Sequence, residues 1–274
     1  MKKGKEKKEI SWFVPLVLFL ILCILIAGVK VLQEFYKREI IPPVKKIVEK
    51  EKVKKVPVAI IIDDCGWSKS ILKELNEINE PLTLSFLPKA PYSKELIKVL
   101  EGRNFDFMLH LPLEPMPPHQ CFDKGLITTK MSDDEINRAF YDDVKDYLPY
   151  IKGVNNHMGS LFTSDKDKMK ILLNDIRKEN LFFIDSVTSE KSVGFQLAKQ
   201  MGIKTAKRDI FLDNKAEPDY IKQQVRKLVE VAKKKGKAVA IGHAKRITLK
   251  VLKEVIPEIE KEGIEIVPAS SIVE

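Results

Sequence analysis

From Pro57 onward the sequence alternates short apolar runs with amphipathic stretches, and this alternation limits the possible folds more than any other feature. The runs are VAIII (58–62), LTLSFL (82–87), FDFML (105–109), KGVNN (152–156), LFFI (181–184), AVAI (238–241) and IEIV (264–267), with a weaker IKTA at 203–206. Helical periodicity fills the gaps. Met169, Leu172, Leu173 and Ile176 recur at i, i+3, i+4, i+7, and Ile221, Val225, Leu228, Val229 and Ala232 extend the rule over three turns. Ser132 and Glu135 form a capping box ahead of a helix expected to run through Leu148. Strands alternating with helices at about 30 residues per unit predict a parallel sheet with helical crossovers. Seven or eight units exceed what most open sheets use. The expected fold is therefore α/β, a distorted (β/α) barrel of about seven parallel strands, with a doubly wound open sheet as the competing architecture.

Polar residues interrupt this pattern mainly where a run ends. The first run ends in Asp63 and Asp64, the third in His110 (HLPLEP), the fourth in Asn155, Asn156 and His157, the fifth in Asp185, and AVAIG in His243. In a barrel of parallel strands all these ends converge on one face, where barrel enzymes place their sites. Three of the four histidines obey the rule; His119, in PPHQC, reads as a loop residue. Carboxylates and imidazoles suit zinc or a related divalent ion, and three protein ligands leave a position open. Such an ion lowers the pKa of water from about 15.7 to roughly 7. Neighbouring strand residues face opposite sides, so one aspartate of the pair can ligate while the other takes a proton from water. A histidine across the pocket can protonate the leaving group.

Blander readings stand beside this one. A single strand-end aspartate is ordinarily a turn or helix cap, and Ser186 and Thr188 after Asp185 suit a capped turn. A metal-free glycosidase could use two carboxylates such as Asp63 and Asp185, with little need for three histidines. The sequence has no G-x-S-x-G elbow, no P-loop and no G-x-G-x-x-G after a strand. Its three cysteines show no C-x-x-C spacing, and Cys65 and Cys121 are the one pair that could bridge outside the apolar segment holding Cys23.

The net charge of +9 is unevenly distributed. Residues 1–56 hold 14 Lys/Arg against six Glu, whereas residues 57–274 hold 34 basic against 33 acidic residues. The globular part is close to neutral, which argues against nucleic acid as its partner. Residues 10–29 carry no charge over 20 positions, enough for a helix to span about 30 Å of bilayer core. That run is longer than an ordinary signal-peptide core and no A-x-A site follows it, so an uncleaved anchor is expected. The organisation read from the sequence is a basic cytoplasmic tail (1–9), a transmembrane anchor (10–29), a charged, rather stiff spacer (30–56) and a globular domain (57–274) beyond the membrane.

The segments IIDDCG, HLPLEP, GVNNHMGS, FFIDSVTS, RDIFLDN and AIGHA, in this order, resemble the divergent polysaccharide deacetylase family, a relative of the NodB-type carbohydrate deacetylases with a bacterial periplasmic branch. The resemblance covers residues 57–270. It implies a metal-dependent hydrolase that removes acetyl groups from N-acetylated glycans, with Asp63 as general base, Asp64 and His110 as metal ligands, His243 as general acid and Asp185 as a supporting acid. The wider group carries a second histidine four residues after the first, where this sequence has Glu114. Either Glu114 or His157 then completes the ligand set; His157 is preferred, because Pro112 and Pro115 stiffen the loop that holds Glu114. In that case Glu114, Asn156, Arg208 and Asp213 line the pocket or orient the ligands. A barrel that binds glycan without turning it over is the alternative.

Overall fold

The computed structural model describes residues 12–40, 55–119 and 123–274. The chain divides into two compact units, residues 1–53 and 54–274. The described part of the first is helix α1 (Phe13–Ile40). Its segment Phe13–Lys37 is long and apolar enough to cross a membrane or to serve as a signal sequence. The helix does not stop at residue 29. The sequence KVLQEFYKREI contains no glycine or proline, so the helix continues into the expected spacer and ends before Pro42–Pro43. The expected basic tail and the rest of the spacer lie outside the described residues.

The second unit is a distorted parallel barrel. Strand β1 (Val56–Cys65) is central, and it is followed by α2 (Leu72–Asn76), β2 (Thr83–Phe86), α3 (Ser93–Leu100) and β3 (Asp106–Leu113). Next come α4 (Asp133–Val144), β4 (Ile151–Met158), α5 (Lys166–Lys178), β5 (Phe182–Asp185) and α6 (Gly194–Gln200). The chain finishes with β6 (Thr205–Lys207), β7 (Ile210–Phe211), α7 (Pro218–Lys235), β8 (Ala238–His243), α8 (Arg246–Lys261) and β9 (Ile264–Ile266). The order is β6-β5-β4-β3-β2-β1-β8-β7, every pairing is parallel, and β9 joins the start of β1. Ser132 and Glu135 do form the capping box of α4, but the helix gives way to turns after Val144 rather than reaching Leu148.

β6 and β7 are two halves of one interrupted strand. The Arg208 amide donates to the Asp185 carbonyl of β5, and the next amide, of Asp209, donates to the Val239 carbonyl of β8. One segment thus binds both edges, and seven strand positions ring the interior.

Because the strands are buried on both faces, they are apolar throughout, and alternation sorts the side chains. Val58, Ile60 and Ile62 pack outward among helix residues. Ala59 and Ile61 face inward with Met108, Phe182, Ile184, Ala206, Val239 and Ile241. A Cβ on Gly153 would lie 2.3 Å from the Phe182 ring, so only glycine admits that ring to the interior. At the N-terminal end, Ala269 and Ile272 plug the barrel, with the Ala269 amide donating to Thr83 Oγ1 at 2.8 Å. The C-terminal ends of β1, β2, β3, β4, β5 and β8 lie at the opposite mouth.

Candidate metal centre

Asp63 follows Ala59 and Ile61 in phase, so it points inward; it is 3% exposed and pairs in register with His243 of β8. Simple alternation would turn Asp64 outward. Instead the register with β2 slips between Ile62 and Cys65, and Asp64 adopts φ 59°. A left-handed residue inside a bulge re-aims its side chain, and aspartate tolerates that conformation better than most. Both carboxylates therefore reach the mouth, by different routes.

His110 is in phase with inward Met108 and pairs in register with Asn155 on β4. His157, two residues beyond Asn155, shares its face. Asp64 Oδ1 lies 3.3 Å from His110 Nε2 and 3.2 Å from His157 Nδ1, and the two nitrogens are 3.1 Å apart. Ligand atoms about 2.0–2.1 Å from a tetrahedral zinc sit about 3.3 Å from each other.

The outer partners fix the tautomers. His110 Nδ1 lies 2.9 Å from Asn155 Oδ1, which only accepts, so that nitrogen carries the proton and Nε2 presents a lone pair. His157 Nε2 is 3.0 Å from Asp123 Oδ2, which likewise leaves a lone pair on Nδ1. Asp64 Oδ1 is buried, and among the described residues it accepts no hydrogen bond of good geometry despite its closeness to both rings. Three lone pairs thus converge on one point, an arrangement that a cation stabilises. The donor set fits a divalent ion.

Asn155 connects this cluster to Asp63. It is fully buried; its Nδ2 donates to both Asp63 oxygens at 2.9 and 3.1 Å and approaches Ser186 Oγ at 3.3 Å, while its Oδ1 also accepts from Ser85 Oγ at 2.6 Å. Asp63 Oδ2 is 3.6 Å from His110 Nε2, so the second carboxylate borders the same point. Burial pushes the Asp63 carboxyl up, against the pull of His110 and Asn155.

Across the mouth, His243 Nδ1 is 2.7 Å from Asp213 Oδ1, and Asp213 Oδ2 accepts from the His243 amide and the Thr248 hydroxyl. The His243 ring stacks on Phe211 at 5.9 Å and 7°. Burial favours neutral imidazole there, but Asp213 outweighs it and raises the His243 pKa, while Asp213 itself is lowered.

The remaining candidates fall elsewhere. Asp185 faces outward and is fully used in capping: it accepts from the Val187 amide, the Ser192 hydroxyl and the Phe195 amide, and does not enter the cluster. Glu114 binds the Thr129 amide and hydroxyl, so His157, not Glu114, stands with Asp64 and His110. Asn156 accepts from the Ser186 amide and donates to the Met158 carbonyl. Arg208 spans the Ser186 and Val187 carbonyls and lies 4.0 Å over the Phe211 ring; it pairs with neither Asp209 nor Asp213. His119 is exposed in its loop. The Cys65 thiol is free and buried beside the site, and the Cys65–Cys121 pairing lies outside the described residues on the Cys121 side. Asp123 and Ser85 escaped the sequence reading, and Asn155, named there as a strand end, was given no role in the site. That role was within reach of the sequence, since alternation counted back from His157 selects residue 155 rather than 156.

Comparison with known proteins gives the family and the fold. The profile of the divergent polysaccharide deacetylase family matches residues 60–273. The protein YibQ of Escherichia coli K12 is 31% identical over 215 residues, 78% of this chain, which spans 66% of that protein's length. Among solved structures, protein ATU2773 of Agrobacterium tumefaciens C58 superposes with a TM-score of 0.75 at 21% identity, covering 80% of this chain and 90% of that one. The catalytic domain of a peptidoglycan N-acetylglucosamine deacetylase from Eubacterium rectale gives 0.51 at 15% identity, covering 78% and 88%. At these identities the two structures show the shared fold.

Proposed function

The chain belongs to the divergent polysaccharide deacetylase family, and on that premise we propose that it is a membrane-anchored, metal-dependent deacetylase of N-acetylated glycans, acting outside the cytoplasm. The observation that carries this reading is the convergence of three lone pairs, from Asp64, His110 and His157, beside a fourth group, Asp63, that is held but not consumed.

A divalent ion held by those three residues, most simply zinc, supplies Lewis acidity that acidifies water and polarises an acetamide carbonyl. Asp63, oriented by Asn155, accepts the proton of the attacking water. His243, oriented by Asp213, which also raises its pKa, delivers a proton to the departing amine from the opposite side of the mouth. The N-terminal helix supplies the anchor.

The test is metal content together with acetate release by the full-length chain in detergent. About one zinc per chain is expected, lost in Asp64→Ala and His110→Ala. Asp63→Asn is expected to keep the ion and to release no acetate from chito-oligosaccharides or peptidoglycan fragments. A wild-type protein that binds the ion and glycan yet releases no acetate would leave a glycan-binding module instead.

A further inference from the structure

Within residues 55–274 the exposed large apolar side chains among the described residues are Trp67, Tyr92 and Val99. The first two stand on adjoining loops at the site's end of the barrel. The Tyr92 amide donates to the Gly66 carbonyl at 2.9 Å, and the Leu87 amide donates to the Cys65 carbonyl at 3.0 Å, locking the β1–α2 loop to the β2–α3 loop. Gly66 has φ 117°, and a Cβ there would collide with Ser93 Oγ at 2.0 Å, so the chain can present Trp67 at this angle only through glycine. The Tyr92 ring already carries the Lys69 ammonium 4.8 Å from its centroid. Trp67 is the open aromatic face.

Beneath Trp67 lies a cleft of about 380 Å³, walled by Leu87, Pro88, Ala90 and Pro91 on one side and by Pro112 and Asp123 on the other. The first wall is fixed from behind by buried groups. Ser93 Oγ donates to the Leu87 carbonyl at 2.6 Å, the Tyr147 hydroxyl donates to the Pro88 carbonyl, and Lys89 pairs with Asp143 at 3.1 Å. The second wall belongs to the metal centre, since Asp123 holds His157 and Pro112 pairs in register with His157. The cleft is therefore a preformed, largely apolar extension of that centre. Its volume falls at the lower end of the range of about 300–1,000 Å³ that ligand sites occupy.

We propose that this cleft is a second sugar-binding position, in which a gluco-configured pyranose adjacent to the reacting residue stacks on Trp67. Such a ring has its hydroxyls equatorial and its C–H bonds axial, so its two faces are apolar and match a flat indole between proline walls. A free monosaccharide fills one position only. The preferred substrate class is then an extended glycan chain of at least two residues. This proposal rests on the deacetylase reading for what occupies the centre, but glycan binding to the cleft can be measured without turnover.

The sequence has two tryptophans, Trp12 and Trp67. Full-length Trp12→Phe/Asp63→Asn protein in detergent makes Trp67 the sole indole and removes the proposed base. Titration with chitotetraose is expected to change Trp67 emission saturably, with free N-acetylglucosamine at least tenfold weaker, about 1.4 kcal/mol. In the otherwise wild-type enzyme, Trp67→Ala is expected to raise KM for the tetramer roughly tenfold with kcat and zinc content kept. Unchanged emission with the tetramer, or an unchanged KM in Trp67→Ala, overturns the proposal even if acetate is released. Saturable binding by that variant, with no acetate released by the wild-type protein, upholds the cleft and removes the deacetylase reading.

Discussion

Replacing Asn155 by alanine tests the centre more sharply than removing a ligand, because Asn155 touches the proposed ion only through other groups. Its amide holds Asp63 by two contacts, fixes the His110 tautomer and accepts from Ser85. Ser85 and Asp63 are 0% and 3% exposed, so neither can turn to solvent when the amide is gone. A buried polar group left without a partner costs about 1–3 kcal/mol, which puts the expected loss at about 2–6 kcal/mol against a typical total of about 5–15. The loss of the outer contact on His110 should weaken zinc by roughly 10–100-fold. Asn155→Asp keeps an acceptor for His110 and Ser85 but places a carboxyl against Asp63. It should therefore retain more zinc affinity than the alanine variant while still losing acetate release. Urea unfolding gives the first quantity and competition with a chromophoric chelator the second. An Asn155→Ala protein with wild-type zinc affinity and an unchanged urea midpoint would refute the argument that this amide organises the site.

Two further tests follow from individual charges. Burial raises the Asp143 carboxyl from 3.8 to about 6 in spite of Lys89, so the stability it contributes is full below about pH 4 and is lost as pH rises through 6. Asp143→Asn should accordingly stabilise the protein at pH 8 by up to about 3 kcal/mol, with the gain vanishing near pH 4; a gain independent of pH in urea melts would contradict this. Asp213 raises the pKa of His243, which must be protonated to act as acid, so activity should fall as pH rises through that pKa. Asp213→Asn should move the alkaline limb of the kcat profile to lower pH, and an unmoved limb would remove Asp213 from that role.

Strand direction is what separates the site from the scaffold here, and it explains which residues could be read in advance. The apolar runs were legible because strands covered on both faces stay apolar throughout, and a charge can enter them only where they end. A two-residue strand such as β7, between Asp209 and Leu212, carries too little pattern to be seen. Strand-end polarity alone did not distinguish a site residue from a cap. Phase does: Asp63, His110, Asn155, His157 and His243 are each in step with an inward residue of their own strand or with another site residue on it, whereas Asn156 and Asp185 are out of step and serve loops. Asp64 breaks the phase rule through a backbone feature, φ 59° within a bulge, that the letters DDCG do not announce. Asp123 arrives from a loop with no periodicity at all. Among the ligand candidates, two follow from alternation and one requires a strained residue. Left-handed non-glycine residues also occur at the matching end of β4, at Met158, and just after β5, at Val187. Such conformations cost of order 1–3 kcal/mol each and persist where surrounding contacts hold them. Their grouping at the mouth, where the Met158 carbonyl accepts from Asn156 and Thr188 and the Val187 carbonyl from Arg208, indicates that these outward residues hold the strand ends in the shape the inward ones require.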